Sequence, residues 1–357
     1  MCTPTIPVLS CHQSLWILSN PSYAFTVFTA DERDTLLQLR AGEVRLGERM
    51  GVLSSSLNLD EAYQQGYRYA LLGVPEDIGP RANLGLGGAT LAWPALLSVL
   101  LNMQSNAFMS GEQLLIAGTV QPPACSNPST ENLREACHQL DLRVKAAVSD
   151  IIEAGLIPIV IGGGHNNALP IIQACFEHFN QPLAVANLDP HSDFRAREGR
   201  HSGNPFRYAH QQGALSHYTV VGLHEQKNNH DSLTALTQAG FPFHTLQSWA
   251  WRRTHTLTNI LSEVSQYLLN SDSPIGLELD VDAISNMPSS AMTACGVGVD
   301  DALYYVHRLA ALEKVSYLHL AEAAPERHPA GLSAGQKVCG QVLAELICAF
   351  VKARLAL

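Results

Sequence analysis

The sequence predicts an α/β fold of three layers, with helices on both faces of a central, mostly parallel sheet. From Tyr67 onward, short apolar runs alternate with longer segments of 3.6-residue period, the rhythm of βαβ units. Several of the short runs are apolar at nearly every position, as strands covered on both faces must be. Three of them end in short motifs of glycine, histidine and aspartate. The carboxyl ends of parallel strands form the rim at which open α/β sheets bind ligands.

Taken in order, the apolar runs place strands at 69–74, 114–119, 158–161, 183–188, 218–223, 275–279 and 316–320. The periodic segments place helices at 90–102, 132–154, 168–179, 232–239, 256–269, 299–312 and 334–355. Gly155 stands just past the second of these, where a left-handed cap is wanted. Residues 1–66 differ. A Pro/Ser-rich start gives way to Asp31-Glu32-Arg33, an amphipathic stretch to about Met50 and a polar segment over 54–65. They read as an N-terminal helical extension, leaving 67–357 as one α/β domain that carries the chemistry.

With 357 residues, 46% of them hydrophobic and 15% charged, the chain can bury a large core. Its 22 basic and 32 acidic residues give a net charge of −10 with no basic block, which argues against nucleic acid and anionic membrane as partners. The stretch from Met1 to Leu18 lacks the basic start of a secretory signal, and no apolar run approaches the roughly 20 residues that span a bilayer. The eight cysteines contain no C-x-x-C pair, so they read as thiols of a reducing cytoplasm rather than as a disulfide framework.

The motifs are Gly162-Gly163-Gly164-His165, Asp189-Pro190-His191-Ser192-Asp193 and Asp280-Val281-Asp282. In the second, the ligand-type residues fall at i, i+2 and i+4, which an extended segment turns to one face. The third repeats the device, and the glycines of the first permit a tight turn. At one rim these motifs would pool His165, Asp189, His191, Asp193, Asp280 and Asp282. Four carboxylates in a partly dry cleft repel one another strongly, and two divalent cations would cancel their charge. A donor set this rich in oxygen favours Mn²⁺, with Fe²⁺, Co²⁺ or Ni²⁺ as alternatives, over thiolate-loving metals. Arg195, Arg197, Arg200 and Arg207 follow the second motif, and arginine pairs with carboxylates through two hydrogen bonds. Arg197 and Arg200 read as solvated loop residues, and Arg195 and Arg207 as contacts for an acidic substrate.

Together these motifs resemble the ureohydrolase family of arginases, agmatinases and formiminoglutamases over roughly 68–350. The resemblance implies an arginase-like fold and two Mn²⁺ ions. One would be held by His165, Asp189, Asp193 and Asp280, and the other by His191, Asp189, Asp280 and Asp282. It also implies homo-oligomeric assembly and attack of a water, activated between the metals, on an sp² carbon bearing nitrogen. Where arginase-like chains have Asn two residues beyond the second motif, this chain has Arg195, as formiminoglutamases do. The segment His201-Ser202-Gly203-Asn204-Pro205-Phe206-Arg207 is similar to their Ser-Gly-Thr-Pro-Phe, with Asn204 in place of Thr. Arginases and agmatinases carry a shuttling His directly before that Gly; here Ser202 stands there, with His201 one residue earlier.

Two further segments look like the family. Residues 73–83 resemble its substrate-side loop, with Arg81 and Asn83 in reach of a pocket. Leu320-Ala321-Glu322 resembles its last strand-end motif, in which the Glu grips the amidine-like group. After Asp282 the chain departs from the family's Asp-Pro or Asp-Ala pair. The resemblance implies catalytic roles for His201 and Glu322 and substrate contacts from Arg195, Ser202, Asn204, Arg207, Arg81 and Asn83. The expected reaction is hydrolysis of N-formimino-L-glutamate to L-glutamate and formamide, which closes histidine degradation in the matching family. Another guanidino or amidino acid, arginine and agmatine included, is the alternative within the same chemistry. A catalytically silent binding protein is the alternative outside it.

Overall fold

Along each central strand, successive side chains enter opposite cores, as the pleat requires. Tyr69 and Leu71 belong to one core while Ala70 and Leu72 belong to the other, and Ile159 and Ile161 alternate with Val160 in the same way. The computed structural model describes residues 23–355. Its strands are β1 (Thr26–Val27), β2 (Gly51–Val52), β3 (Tyr69–Gly73), β4 (Leu114–Thr119), β5 (Ile157–Ile161), β6 (Leu183–Leu188), β7 (Leu215–Leu223), β8 (Phe243–Thr245), β9 (Ile275–Asp280) and β10 (Val315–Ala321). They form one sheet in the order β1-β4-β3-β5-β10-β9-β6-β7-β8, with β2 also on β4. Every pairing is parallel except that of β1 with β4.

Helices Ala92–Leu100, Leu257–Leu269, Val299–Ala310 and Leu332–Leu355 cover one face. Helices Thr130–Glu153, Ala168–Phe179, Pro205–Gln211 and His230–Gln238 cover the other. The fold is therefore the three-layer α/β/α arrangement that the apolar pattern predicts. All the strands and helices expected beyond residue 66 are present, and the largest displacement is at β7, which begins at Leu215 instead of 218. The pattern gave no sign of β8 or of the helices Ile78–Ala82, Pro205–Gln211 and Leu246–Ala250, each too short to show a period.

The N-terminal segment is not simply helical. Short helices Ala30–Leu36, Leu46–Arg49 and Leu59–Gln64 alternate with β1 and β2, which extend the sheet at β4. Thr29 with Glu32, and Asn58 with Glu61, form reciprocal capping boxes that stop two of these helices from running backward. Residues 1–22 of the expected extension lie outside the described residues. The described cysteines are all free thiols, and Cys137, Cys175, Cys339 and Cys348 are buried. No helix among the described residues is long and apolar enough to cross a membrane.

Register decides what meets at the rim. Leu188 on β6 lies level with Leu279 on β9, Ala321 on β10 with Asp280, and Leu320 with Ile161 on β5. The residues that follow β5, β6, β9 and β10 therefore emerge side by side. Further down these strands the core is apolar and closed: Leu277, Leu318 and Ile159 are fully buried. Leu318→Ala is expected to destabilise the fold by about 2–5 kcal/mol through the cavity it leaves. Urea unfolding checks this, and a loss under about 1 kcal/mol would show that the central layer can collapse around the gap.

Candidate metal centre

At the β5 end the chain must turn sharply, and two of its three glycines take the left-handed conformation, Gly162 at φ 85° and Gly163 at φ 70°. A Cβ on Gly163 would collide with the Asn167 side chain and the Glu76 carboxylate. Buried Glu76 fixes this turn, because its Oε1 accepts the Gly164 N–H at 2.7 Å and the Asn167 amide at 2.8 Å. The turn delivers His165, fully buried, to the ends of β6 and β9. Two other residues at the rim are non-glycines held at positive φ: Asp193 at 44° and Glu322 at 68°. Such strain persists where the surroundings over-determine it, and it concentrates at functional sites.

All six residues anticipated as ligands converge, in two groups that share Asp280. His165, Asp189, Asp193 and Asp280 form one, and His191, Asp280 and Asp282 the other. His165 Nδ1 lies 3.1 Å from Asp189 Oδ2, 2.9 Å from Asp193 Oδ2 and 3.3 Å from Asp280 Oδ2. Donors bonded to one ion at roughly 2.0–2.2 Å stand roughly 2.8–3.6 Å apart across octahedral or tetrahedral angles. Nδ1 makes no hydrogen bond of good geometry to any of them, which leaves it free to ligate an ion in the space between. Asp189 reaches the second group through its other oxygen, 3.4 Å from His191 Nδ1. The residues present therefore fit two cations, with Asp189 and Asp280 placed to face both.

The electrostatics say the same. Burial and the neighbouring Asp189 push Asp193 up to about 6, and burial with Asp282 and Asp189 holds Asp280 well above the usual carboxylate range. Burial opposes charge on His191, yet Asp189, Asp282 and Asp193 lift it to about 9. Asp189, buried but beside His165 and His191, is instead held below the usual carboxylate range, and divalent metal would displace the protons that Asp193, Asp280 and His191 draw.

The centre forms the floor of a cleft of about 510 Å³. Of the anticipated contact residues, Arg195, Ser202, Asn83 and Glu322 line it. Asn83 Oδ1 accepts from Arg195 Nη1 at 3.1 Å, which steadies the guanidinium across the mouth. Glu322 Oε1 accepts the His165 N–H at 2.9 Å, while its Oε2 is buried without a partner. Burial, then Asp280 and Asp282, raise the Glu322 pKa well above its ordinary value. The sequence reading overlooked Lys227, Asn228 and Ser290, which also line the cleft. It missed a buried layer beneath the metal groups as well, Glu278 with His319.

The structure moves four anticipated residues away from the cleft wall. His201 is fully enclosed: its Nδ1 accepts the Gly203 N–H at 3.1 Å, and its Nε2 sits 2.9 Å from the Asn204 amide. Burial, with Arg195, Arg134 and Arg200 nearby, lowers it to about 3, so it stays neutral, and its enclosed nitrogens are turned to the loop instead of the cleft. Asn204 is wholly buried and spends its amide on the carbonyls of Ala196 and Gly199 and on Arg200. Arg207 turns outward to Asp231 at 2.8 Å, and Arg81 pairs one helical turn back with Asp77. Arg200, read as solvated, is buried in an ion pair with Asp141 at 2.7 Å. A loop has no fixed alternation of side-chain direction, so residue type alone could not sort these.

A doubly covered parallel sheet with overlapping carboxylate and histidine groups at its strand ends defines an α/β/α protein with a two-metal centre. The arginase family model matches residues 67–348, and the chain belongs to the arginase family. Formimidoylglutamase from Salmonella heidelberg is 29% identical over 286 residues, which cover 77% of this chain and 83% of that one. The solved formimidoylglutamase of Bacillus subtilis superposes with a TM-score of 0.74 at 17% identity, covering 92% of this chain and 99% of its own. A formiminoglutamase of Trypanosoma cruzi solved with Mn²⁺ gives 0.70 at 18% identity, covering 86% and 98%. These structural likenesses establish the fold.

Removal of Asp280, common to both groups, is expected to abolish binding of both ions. Asp280→Ala that still holds one equivalent of Mn²⁺ by elemental mass spectrometry would place the shared position elsewhere. For His201 the expectation concerns stability. Its folded pKa near 3 lies below the ordinary 6.5. The unfolded chain therefore binds its proton first, and stability is lost as pH falls from 6.5 towards 3. In EDTA, His201→Gln is expected to show a shallower loss across that window, and parallel unfolding curves for the two proteins would contradict it.

Proposed function

We propose that this protein is a binuclear manganese hydrolase acting on N-formimino-L-glutamate. One ion is held by His165, Asp189, Asp193 and Asp280, and the other by His191, Asp189, Asp280 and Asp282. When bound, the pair supplies a water of lowered pKa and an electrophilic surface for the substrate. Oxygen from water adds to the formimino carbon, the bond from that carbon to the glutamate nitrogen breaks, and a proton travels with the departing amine. The products are formamide and L-glutamate, which would make this the closing step of histidine degradation. Residues 67–355 make up the catalytic unit, with 23–66 packed on as an extension. The buried free thiols are those of a protein working in a reducing cytoplasm.

The observation that carries the substrate choice is the polarity of the cleft from end to end. At the floor, the unpartnered Glu322 Oε2 can accept an N–H from a cationic formimino group, a charge-assisted bond. At the wall stand two cations, Arg195 and Lys227, and the substrate carries two carboxylates. Arginine has only one carboxylate and agmatine has none, so neither matches both cations. The Salmonella relative, a formimidoylglutamase, supports this choice.

Turnover by Mn²⁺-reconstituted protein on N-formimino-L-glutamate, arginine, agmatine and a guanidino acid tests the reading, with formamide, urea and ammonia as readouts. Formamide from the first substrate alone is expected. Urea from a guanidino compound would keep the mechanism and overturn the substrate, and two bound ions with no turnover on any would favour a silent relative. Arg195→Ala and Lys227→Ala are each expected to raise KM about tenfold or more with little change in kcat, the signature of uniform binding. A fall in kcat at constant KM would instead place those cations at the reacting end.

A further inference from the structure

Beneath the metal groups lies a second polar layer that the proposed chemistry does not use. Glu278 precedes Asp280 by two residues on β9, so the pleat turns both to the same face. Its partners in register are Asn187 on β6 and His319 on β10, and all three are fully buried. Asn187 donates to Asp189 Oδ2 at 3.0 Å from below. Glu278 Oε1 accepts the Tyr317 hydroxyl at 2.8 Å, and its Oε2 lies 2.6 Å from His319 Nδ1 and 3.3 Å from His165 Nε2. A fifth carboxylate under four others adds repulsion, so its place calls for a reason.

The two nitrogens of His165 supply one. A neutral imidazole carries a single proton. With that proton on Nδ1, the nitrogen that faces Asp193 at 2.9 Å has no lone pair left for metal. With the proton on Nε2, the lone pair of Nδ1 faces the ion. We propose that Glu278 is the positioning residue of this centre, accepting the Nε2–H of His165 when Nδ1 turns to the ion shared with Asp189, Asp193 and Asp280. Its Oε2 is the carboxylate oxygen 3.3 Å from that nitrogen, which makes no hydrogen bond of good geometry here. His319 and Tyr317 hold the Glu278 carboxylate in place for this task. The inference rests on the reading of His165 as a metal ligand. His165, Glu278 and His319 also lie close enough to hold an ion themselves. The 2.6 Å contact between Glu278 and His319 is instead the length of a charge-assisted hydrogen bond, which keeps a proton in that gap.

The test is Mn²⁺ binding by the full chain and its Glu278→Gln variant, with the metal-free fold of each checked by circular dichroism in EDTA. Two ions are expected in the parent chain. In the variant, one of the two is expected to bind about ten- to a hundredfold more weakly, the usual cost of losing a carboxylate behind a ligating histidine. Should the variant not fold, long-range ¹H–¹⁵N spectra of the parent chain loaded with diamagnetic Zn²⁺ read the same property. They are expected to show His165 protonated at Nε2 and ligating through Nδ1. Two ions in the parent with undiminished affinity in Glu278→Gln, ligation through Nε2, or a third ion per chain would each overturn this inference alone. A parent chain that binds no Mn²⁺ would overturn the two-metal reading and this inference together.

Discussion

Four aspartates and a glutamate meet at one rim of a parallel sheet, and their mutual repulsion is the constraint to which the surrounding structure answers. At about 4 Å and an effective dielectric near 20, each like-charged pair costs about 4 kcal/mol. The fold accepts this because strand register leaves no alternative: the ends of β6 and β9 are level, and both carry Asp into the same space. Around them the chain is braced. Glu76 pins the glycine turn, Arg200 ties the loop after β6 to Asp141 on the long helix, and Asp193 and Glu322 are held in left-handed backbone. This bracing keeps the carboxylates together in the face of their charge, and two cations would remove the remaining repulsion.

The loop from Arg195 to Arg207 shows how one segment is divided between support and recognition. Arg200 points inward and is buried, Arg195 points across the cleft, and Arg207 points away to the outer helix. His201 and Asn204 lock the loop on itself, which sets Ser202 and Gly203 against the cleft. The cleft that results is acidic at its floor and cationic at its wall. That polarity accounts for a substrate with a cationic reacting end and anionic far end better than any single residue does.

The strands, and the convergence of the six candidate ligands, were legible in the sequence because each motif follows a recognisable strand. Largely apolar runs mark β3 to β7, β9 and β10, and the motifs at 162–165, 189–193 and 280–282 stand where three of those runs end. Asp193 is held in left-handed backbone instead of the extended form its spacing suggests. Strand alternation would have found Glu278, since Glu278-Leu279-Asp280-Val281-Asp282 continues it one step into the strand. Reading the motif as starting at Asp280 concealed it. No rule of that kind reaches the loops. Lys227 follows β7 without a motif, and His201 sits beside Ser202 yet faces the opposite way. Edge strands β1, β2 and β8 were invisible because two or three residues carry no period.

Crystals grown with Mn²⁺ and measured at a wavelength where manganese scatters anomalously would test the central claim directly. The account predicts two anomalous peaks per chain roughly 3.5–4 Å apart, the spacing of two-metal sites. One would lie among His165, Asp189, Asp193 and Asp280, and the other beside His191 and Asp282, with Asp280 between them. A single peak, or density centred on His319 and Glu278 instead, would contradict it.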